Sequence, residues 1–123
     1  MKYGELVVWQ KAMDLVERVY GLTEKIPTEE KFGLTSQLRR SAVSIPANIA
    51  EGHGRKYTNA YLNHLSIAGG SLMELETLLQ LTARLGLIEN EAQNLLLAQT
   101  DEIGKMLSGL RNSLRQLPTD PKS

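Results

Sequence analysis

The chain is 123 residues long and balances 14 basic against 14 acidic residues, so the molecule as a whole carries no polyanion-binding charge. It contains no cysteine, which excludes a disulfide framework and a thiolate metal site, and its 41% hydrophobic but only 5% aromatic composition suits one domain of helices packed on helices. No apolar run approaches the ~20 residues that a membrane span requires, and Met1-Lys2-Tyr3-Gly4-Glu5 does not read as a signal peptide, so a cytoplasmic protein is expected.

Apolar spacing predicts four helices, over residues 7–24, 29–51, 59–85 and 90–116. Short turns between them imply an all-α, up-down-up-down antiparallel four-helix bundle spanning residues 1–117, with a flexible tail over 118–123. In the first helix Trp9, Met13, Val16 and Tyr20 share a narrow arc, with Ala12 and Val19 on its edge. Ile26-Pro27 stops that helix, and Thr28 is the expected cap of the second, with Glu29 and Glu30 in its first turn where the helix dipole favours anions.

The second helix is the centre of the pattern. Leu34, Leu38, Ala42, Ile45 and Ile49 fall on one face, and between Arg40 and Glu51 there is no charge at all. A helix that met water on one side would carry charge there, so this one is expected to be covered on every side. Pro46 removes the N–H that would bond the Ala42 carbonyl. Because the apolar spacing runs on in phase, a continuous helix kinked near Pro46 is expected, with Ser41, Ser44 and Asn48 serving the freed backbone groups. Gly52-His53-Gly54 then ends the helix, glycine entering the left-handed region readily.

The third helix, capped by Thr58 or Asn59, carries Tyr61, Leu65, Ala68, Leu72, Leu75 and Leu79 at alternating four- and three-residue spacing, a coiled-coil-like seam. A second stripe, Ile67, Ser71, Glu74, Leu78, Leu81 and Leu85, lies elsewhere on the same helix. One seam serves the protomer, and Ile67, Leu78, Leu81 and Leu85 are therefore candidates for an oligomer interface. Gly69-Gly70 costs about 1 kcal/mol per glycine in a helix interior, which points to close backbone approach. Gly86 ends this helix, Glu89 or Asn90 caps the fourth, and Ala92, Leu96, Gln99, Ile103, Met106, Leu110 and Leu117 are placed on its buried side.

Little in this pattern supports catalysis. A di-iron bundle needs Glu-x-x-His pairs on two helices, and no glutamate here is followed by histidine three residues on. No nucleophile has a base with a sequence reason to be near it, and Gly52-His53-Gly54 follows a helix rather than a strand, unlike a phosphate loop. No enzyme activity, cofactor, metal or small-molecule substrate is expected. The charge is nonetheless uneven: from Lys31 to Lys56, Lys31, Arg39, Arg40, Arg55 and Lys56 face Glu51 alone. Arg39, Arg55 and Lys56 are the best candidates for phosphate contacts around one rim, because a guanidinium fork matches phosphate oxygens, and Arg111 and Arg115, one turn apart, extend the set. Glu76 lies near the core edge, where a lone charge is costly. Arg40 or Asn48 is expected to satisfy it, or Arg40 to pair with Glu51 or Glu74, in a polar network of Arg40, Ser44, Asn48, Glu51, Glu74 and Glu76 that either fixes helix register or binds a partner.

The run Ser44-Ile45-Pro46-Ala47-Asn48-Ile49-Ala50-Glu51-Gly52, followed by Arg55, closely resembles the signature of the bacterial four helix bundle family. Members are encoded in intervening sequences of large-subunit ribosomal RNA genes and are related to the accessory protein of diversity-generating retroelements. A second patch, Ile67-Ala68-Gly69-Gly70-Ser71-Leu72-Met73-Glu74-Leu75-Glu76, matches at the right distance, and the resemblance spans roughly residues 5–115. It implies a homopentameric, barrel-like assembly and, for relatives tied to retroelements, binding of RNA and a reverse transcriptase. Two functions follow as expectations: an RNA-associated oligomeric accessory protein, or a protein-interaction scaffold that binds no nucleic acid.

Overall fold

A computed structural model describes residues 1–118. Four helices account for most of them: α1 (Val7–Thr23), α2 (Leu34–His53), α3 (Thr58–Arg84) and α4 (Asn90–Arg115), with short 3-10 turns at Tyr3–Glu5 and Thr28–Glu30. The expected tail beyond Pro118 lies outside the described residues. Side-chain contacts give the directions of the helices. Thr23 meets Arg39 while the Met1 carbonyl meets His53, Ser44 meets Ser71 while Asn48 meets His64, and Glu76 meets Thr100 while Gly69 lies beside Arg111. In each pair of helices, one index rises as the other falls, so sequence neighbours run antiparallel. With α4 also packed on α1, the four close into an all-α bundle.

The α2 and α3 seams lie where periodicity places them. Leu38, Ala42, Ile45 and Ile49 are buried, as are Leu65, Ala68, Leu72, Leu75 and Leu79. α2 continues without interruption through Pro46, which is itself buried. Ser41 and Asn48 do not serve the carbonyl that proline frees. Ser41 Oγ donates to Leu38 O, and Asn48 Nδ2 donates to Ser44 O.

Elsewhere the structure corrects the pattern. The buried line of α1 is Val8, Ala12, Leu15, Val19 and Thr23, while Met13 and Tyr20 are exposed. The bulky residues expected at the centre of the arc sit on its flank instead. On α4 the buried residues are Leu96, Thr100, Ile103 and Leu107, and Leu117 is exposed. α2 begins at Leu34, with Thr28 in the separate 3-10 turn, and the caps of α2 and α3 are Gly33 and Tyr57, whereas Glu89 caps α4 as expected; none makes a side-chain capping bond. α2 is also not covered all round within the protomer, since Val43 and Ala47 face outward.

Glycine acts in two different ways at the helix ends. Gly86 has φ 74°, its N–H bonds Ala83 O, and Leu87 N–H bonds Thr82 O, which is the paired closure of a Schellman turn. Gly54, which ends α2, stays in the right-handed region. Gly52 is inside α2 because a Cβ there would stand 2.8 Å from His64 Cβ and 3.0 Å from Tyr61 Cδ1. It is a contact point for α3 rather than a helix stop.

Candidate nucleic-acid interface and the network behind it

The antiparallel arrangement sorts the basic residues by height. Arg55 and Lys56 follow α2, Arg111 and Arg115 end α4, and the Met1 carbonyl lies on His53, which brings Lys2 to the same end. Arg39 does not join them. It is fourteen residues before His53 on α2, or ~21 Å at 1.5 Å per residue, so Arg39, Arg55 and Lys56 form no single rim in the protomer.

What holds these cations matters more than where they stand. The Arg39 guanidinium lies 4.4 Å from the Tyr20 ring centroid, and its Nε donates to Thr23 Oγ1 at 2.8 Å. Lys56 Nζ lies 5.5 Å from the Tyr57 ring, and Lys31 Nζ lies 5.6 Å from that of Phe32. Arg55 Nε donates to His64 Nε2 at 3.3 Å. Among the described residues the ion pairs are Lys11–Glu102 and Lys105–Asp101, and Glu51 also lies within 3.6 Å of the His64 ring. Lys31, Arg39, Arg40, Arg55 and Lys56 are thus oriented, where they are oriented, by rings and neutral acceptors.

Arg111 and Arg115 differ from that group. Arg115 Nη1 reaches Asn112 Oδ1 at 3.4 Å. Arg111 is half-buried, with Nε lacking a partner, beside a groove lined by Ser66, Gly69, Gly70, Met73 and Ser108. Gly69 faces Arg111 there, at 3.9 Å from a built Cβ to Nη1, and a Cβ on Gly70 would meet nothing. The glycine pair therefore marks no close backbone approach within the protomer.

The polar network exists, with different members. Ser71 Oγ donates to Ser44 Oγ at 2.8 Å, and Asn48 Nδ2 donates to Ser44 O and Oγ. That fixes the amide, so Asn48 Oδ1 faces His64 Nδ1 at 3.0 Å and accepts its proton. His64 Nε2 is then the bare nitrogen that accepts from Arg55. Glu51 lies 3.6 Å from His64 Nδ1. Beside this chain, His53 Nε2 donates to the Met1 carbonyl at 2.6 Å while its Nδ1 meets Tyr61 Oη at 3.1 Å. With Nε2 donating, Nδ1 accepts from the Tyr61 hydroxyl, whose phenol burial pushes up from its ordinary value.

Glu76 belongs to neither Arg40 nor Asn48. It faces α4, where Thr100 Oγ1 donates to it at 2.9 Å. Arg40 pairs with none of Glu51, Glu74 or Glu76 among the described residues, although it shares a cavity with Gln37, Ser44, Ser71 and Glu74. His64 and Ser71 were absent from the expected network. A signal was present in the sequence, because Asn48 and His64 each lie eight residues from Lys56 and so face each other across an antiparallel turn.

Of the expected interface residues on α3 and its C-cap, Ile67, Leu81 and Leu85 are 44%, 43% and 58% exposed, but Leu78 is buried at 8% and belongs to the protomer's own core. Another open apolar surface runs along a groove lined by Tyr20, Phe32, Arg39, Arg40 and Val43, where Phe32 is 90% exposed. Among the described residues, no group of three or more His, Cys, Asp or Glu side chains could hold a metal ion, and no helix is long and apolar enough to cross a membrane.

Comparison with known proteins places this bundle. The model of the 23S rRNA-intervening sequence protein family matches residues 4–109. The chain belongs to that family. A solved structure similar to this member of the 23S rRNA-intervening sequence protein family is a protein of unknown function from the S23 ribosomal protein family of Bacteroides thetaiotaomicron VPI-5482. It superposes with a TM-score of 0.80 at 30% identity, covering 85% of this chain and 98% of the other. No curated protein matches the chain.

Proposed function

We infer that the protein is a non-enzymatic, homo-oligomeric accessory protein that associates with RNA through the end of the bundle carrying Arg55, Lys56, Arg111 and Arg115. One observation carries this reading: at that end Arg55 and Lys56 form no ion pair among the described residues, being held by an imidazole and a ring. A cation with no carboxylate partner keeps its charge available to an outside polyanion, and a guanidinium keeps its fork for phosphate oxygens. The family's association with ribosomal RNA genes agrees with this choice of anion. Assembly multiplies each charge by the number of subunits, and the apolar residues left open on α2 and α3, Val43, Ile67, Leu81 and Leu85, supply contact surface for it.

Titration of an RNA stem-loop across a salt series tests this. Phosphate contacts displace counterions, so affinity is expected to fall steeply as salt rises, and Arg55→Glu/Lys56→Glu is expected to abolish binding while leaving the helical melt intact. Absence of binding even at low salt would refute the reading. It would favour a protein-interaction scaffold, for which the 90% exposed Phe32 beside Tyr20 and Val43 is the supporting feature. Light scattering then tests the assembly, where Leu81→Glu/Leu85→Glu is expected to lower the mass to that of the protomer.

A further inference from the structure

Arg55 is held by an imidazole rather than by a carboxylate. His64 is largely covered, its side chain being 15% exposed, and each ring nitrogen is engaged. The chain from Ser71 through Ser44 and Asn48 leaves the ring no choice of tautomer, because Asn48 Oδ1 only accepts. The lone pair on Nε2 consequently faces Arg55, and only the guanidinium Nε is used. Both Nη groups, the fork that grips a phosphate, stay out of that bond. Glu51, the nearby carboxylate, lies against His64 Nδ1 and makes no ion pair with Arg55. The arginine is therefore directed without being neutralised.

We propose that His64 is a positioning residue, which through the Ser71–Ser44–Asn48 chain aims Arg55 at an RNA phosphate. The proposal rests on the RNA-accessory reading above and adds a specific dependence to it. Protonation at Nε2 turns an acceptor into a donor, ends the Arg55 bond and sets two like charges side by side, while Glu51 draws the imidazolium the other way. A protonated His64 therefore no longer holds Arg55, whatever positive charge it adds to the same end. His53, held by Tyr61 and the Met1 carbonyl, lies at the same end and is kept in every variant as a common background.

The test is fluorescence anisotropy of a labelled RNA stem-loop with the full chain, from about pH 8 to about pH 5, comparing wild type with Arg55→Gln, His64→Ala and His64→Gln. At the alkaline end Arg55→Gln is expected to weaken binding about tenfold, as for loss of a charge-assisted contact. His64→Ala should weaken it nearly as much although it removes no charge there. Glutamine at 64 offers a non-titrating acceptor and donor, so His64→Gln should bind close to wild type, with His53 still present as background. On acidification wild type should lose affinity several-fold relative to His64→Gln. Wild type gaining as much as His64→Gln would overturn the proposal, as would a folded His64→Ala that binds like wild type while Arg55→Gln is weak. If His64→Ala does not fold, the wild-type and His64→Gln pH profiles decide. Failure of the wider reading looks different: wild type then binds no RNA, or Arg55→Gln binds like wild type.

Discussion

Where α2 meets α3, a glycine lets one backbone press against the other helix. Where α1 meets α4, a groove of about 340 Å³ lined by Asp14, Arg18, Leu95 and Gln99 stays open, and an exposed lysine reaches Glu102 beside it. The first seam is the most extensive contact in the bundle and the second is the least extensive of the four helix pairs. The difference follows from side-chain size. The chargeless run of α2 is dominated by the small residues Ser41, Ala42, Ser44, Ala47 and Ala50, and Gly52 follows it, so α3 can approach until hydroxyls and amides bond across the gap. α1 and α4 present Lys, Arg, Asp, Glu and Gln at their junction, which keep their heads in water and hold the helices apart. Register is thus set by short polar bonds at one seam and left to long flexible pairs at the other.

Glycine replacement breaks this comparison most strongly. Gly52→Val sets its Cβ 2.8 Å from His64 Cβ and 3.0 Å from Tyr61 Cδ1, neither of which is the free end of a flexible chain. A urea melt is expected to show a loss of about 3 kcal/mol, at the upper end of overpacking costs. Gly104→Ala on α4 is the control, since its Cβ would meet only Leu72 Cδ2 at 3.4 Å. There the gain in helix propensity, about 1 kcal/mol, should leave stability unchanged or raised. Equal losses at both sites would show that α2 and α3 are not specially close.

The hydroxyl pair sharpens the comparison at smaller scale. Ser71→Ala removes the donor to Ser44 Oγ from a half-buried site, and a loss of about 1 kcal/mol is expected. Its melt should broaden little, because the apolar seam of Leu72, Leu75 and Leu79 beside it is untouched.

These residues also show what the sequence could carry. The seams of α2 and α3 were readable because their apolar lines are narrow and flanked by small or polar residues. On α1, apolar residues from Val8 to Tyr20 cover a broad arc, and periodicity alone puts the large ones at its centre. In the fold the smaller Ala12, Leu15 and Val19 form that centre, while Trp9 meets Tyr3 edge-on and Tyr20 receives Arg39. Glu76 shows a second limit. Its offset from the α3 seam was correct, but periodicity does not say which neighbour lies on which flank, since that is the handedness of the bundle. Thr100 on α4, not Asn48 on α2, proved to be there. Arg39 failed as part of one rim for a simpler reason, its distance along α2 from Arg55.

The smallest expected effect lies at the open seam. Lys11 Nζ stands 2.6 Å from Glu102 Oε1, and that hydrogen bond, followed by the attraction of the same carboxylate, raises the Lys11 ammonium above its ordinary 10.5. A group whose folded value is raised contributes stability in full below the unfolded value and loses it as pH climbs through the folded one. Lys11→Met should therefore lower the melting temperature slightly at neutral pH, less in high salt because both partners are in water. The difference from wild type should vanish in alkali, above 10.5. A Lys11→Met loss as large as that of Ser71→Ala, and unmoved by salt, would mean that the pair is not screened as its exposure implies. The α1–α4 junction would then hold register as firmly as the α2–α3 seam, and the contrast between small and long side chains would no longer explain the bundle.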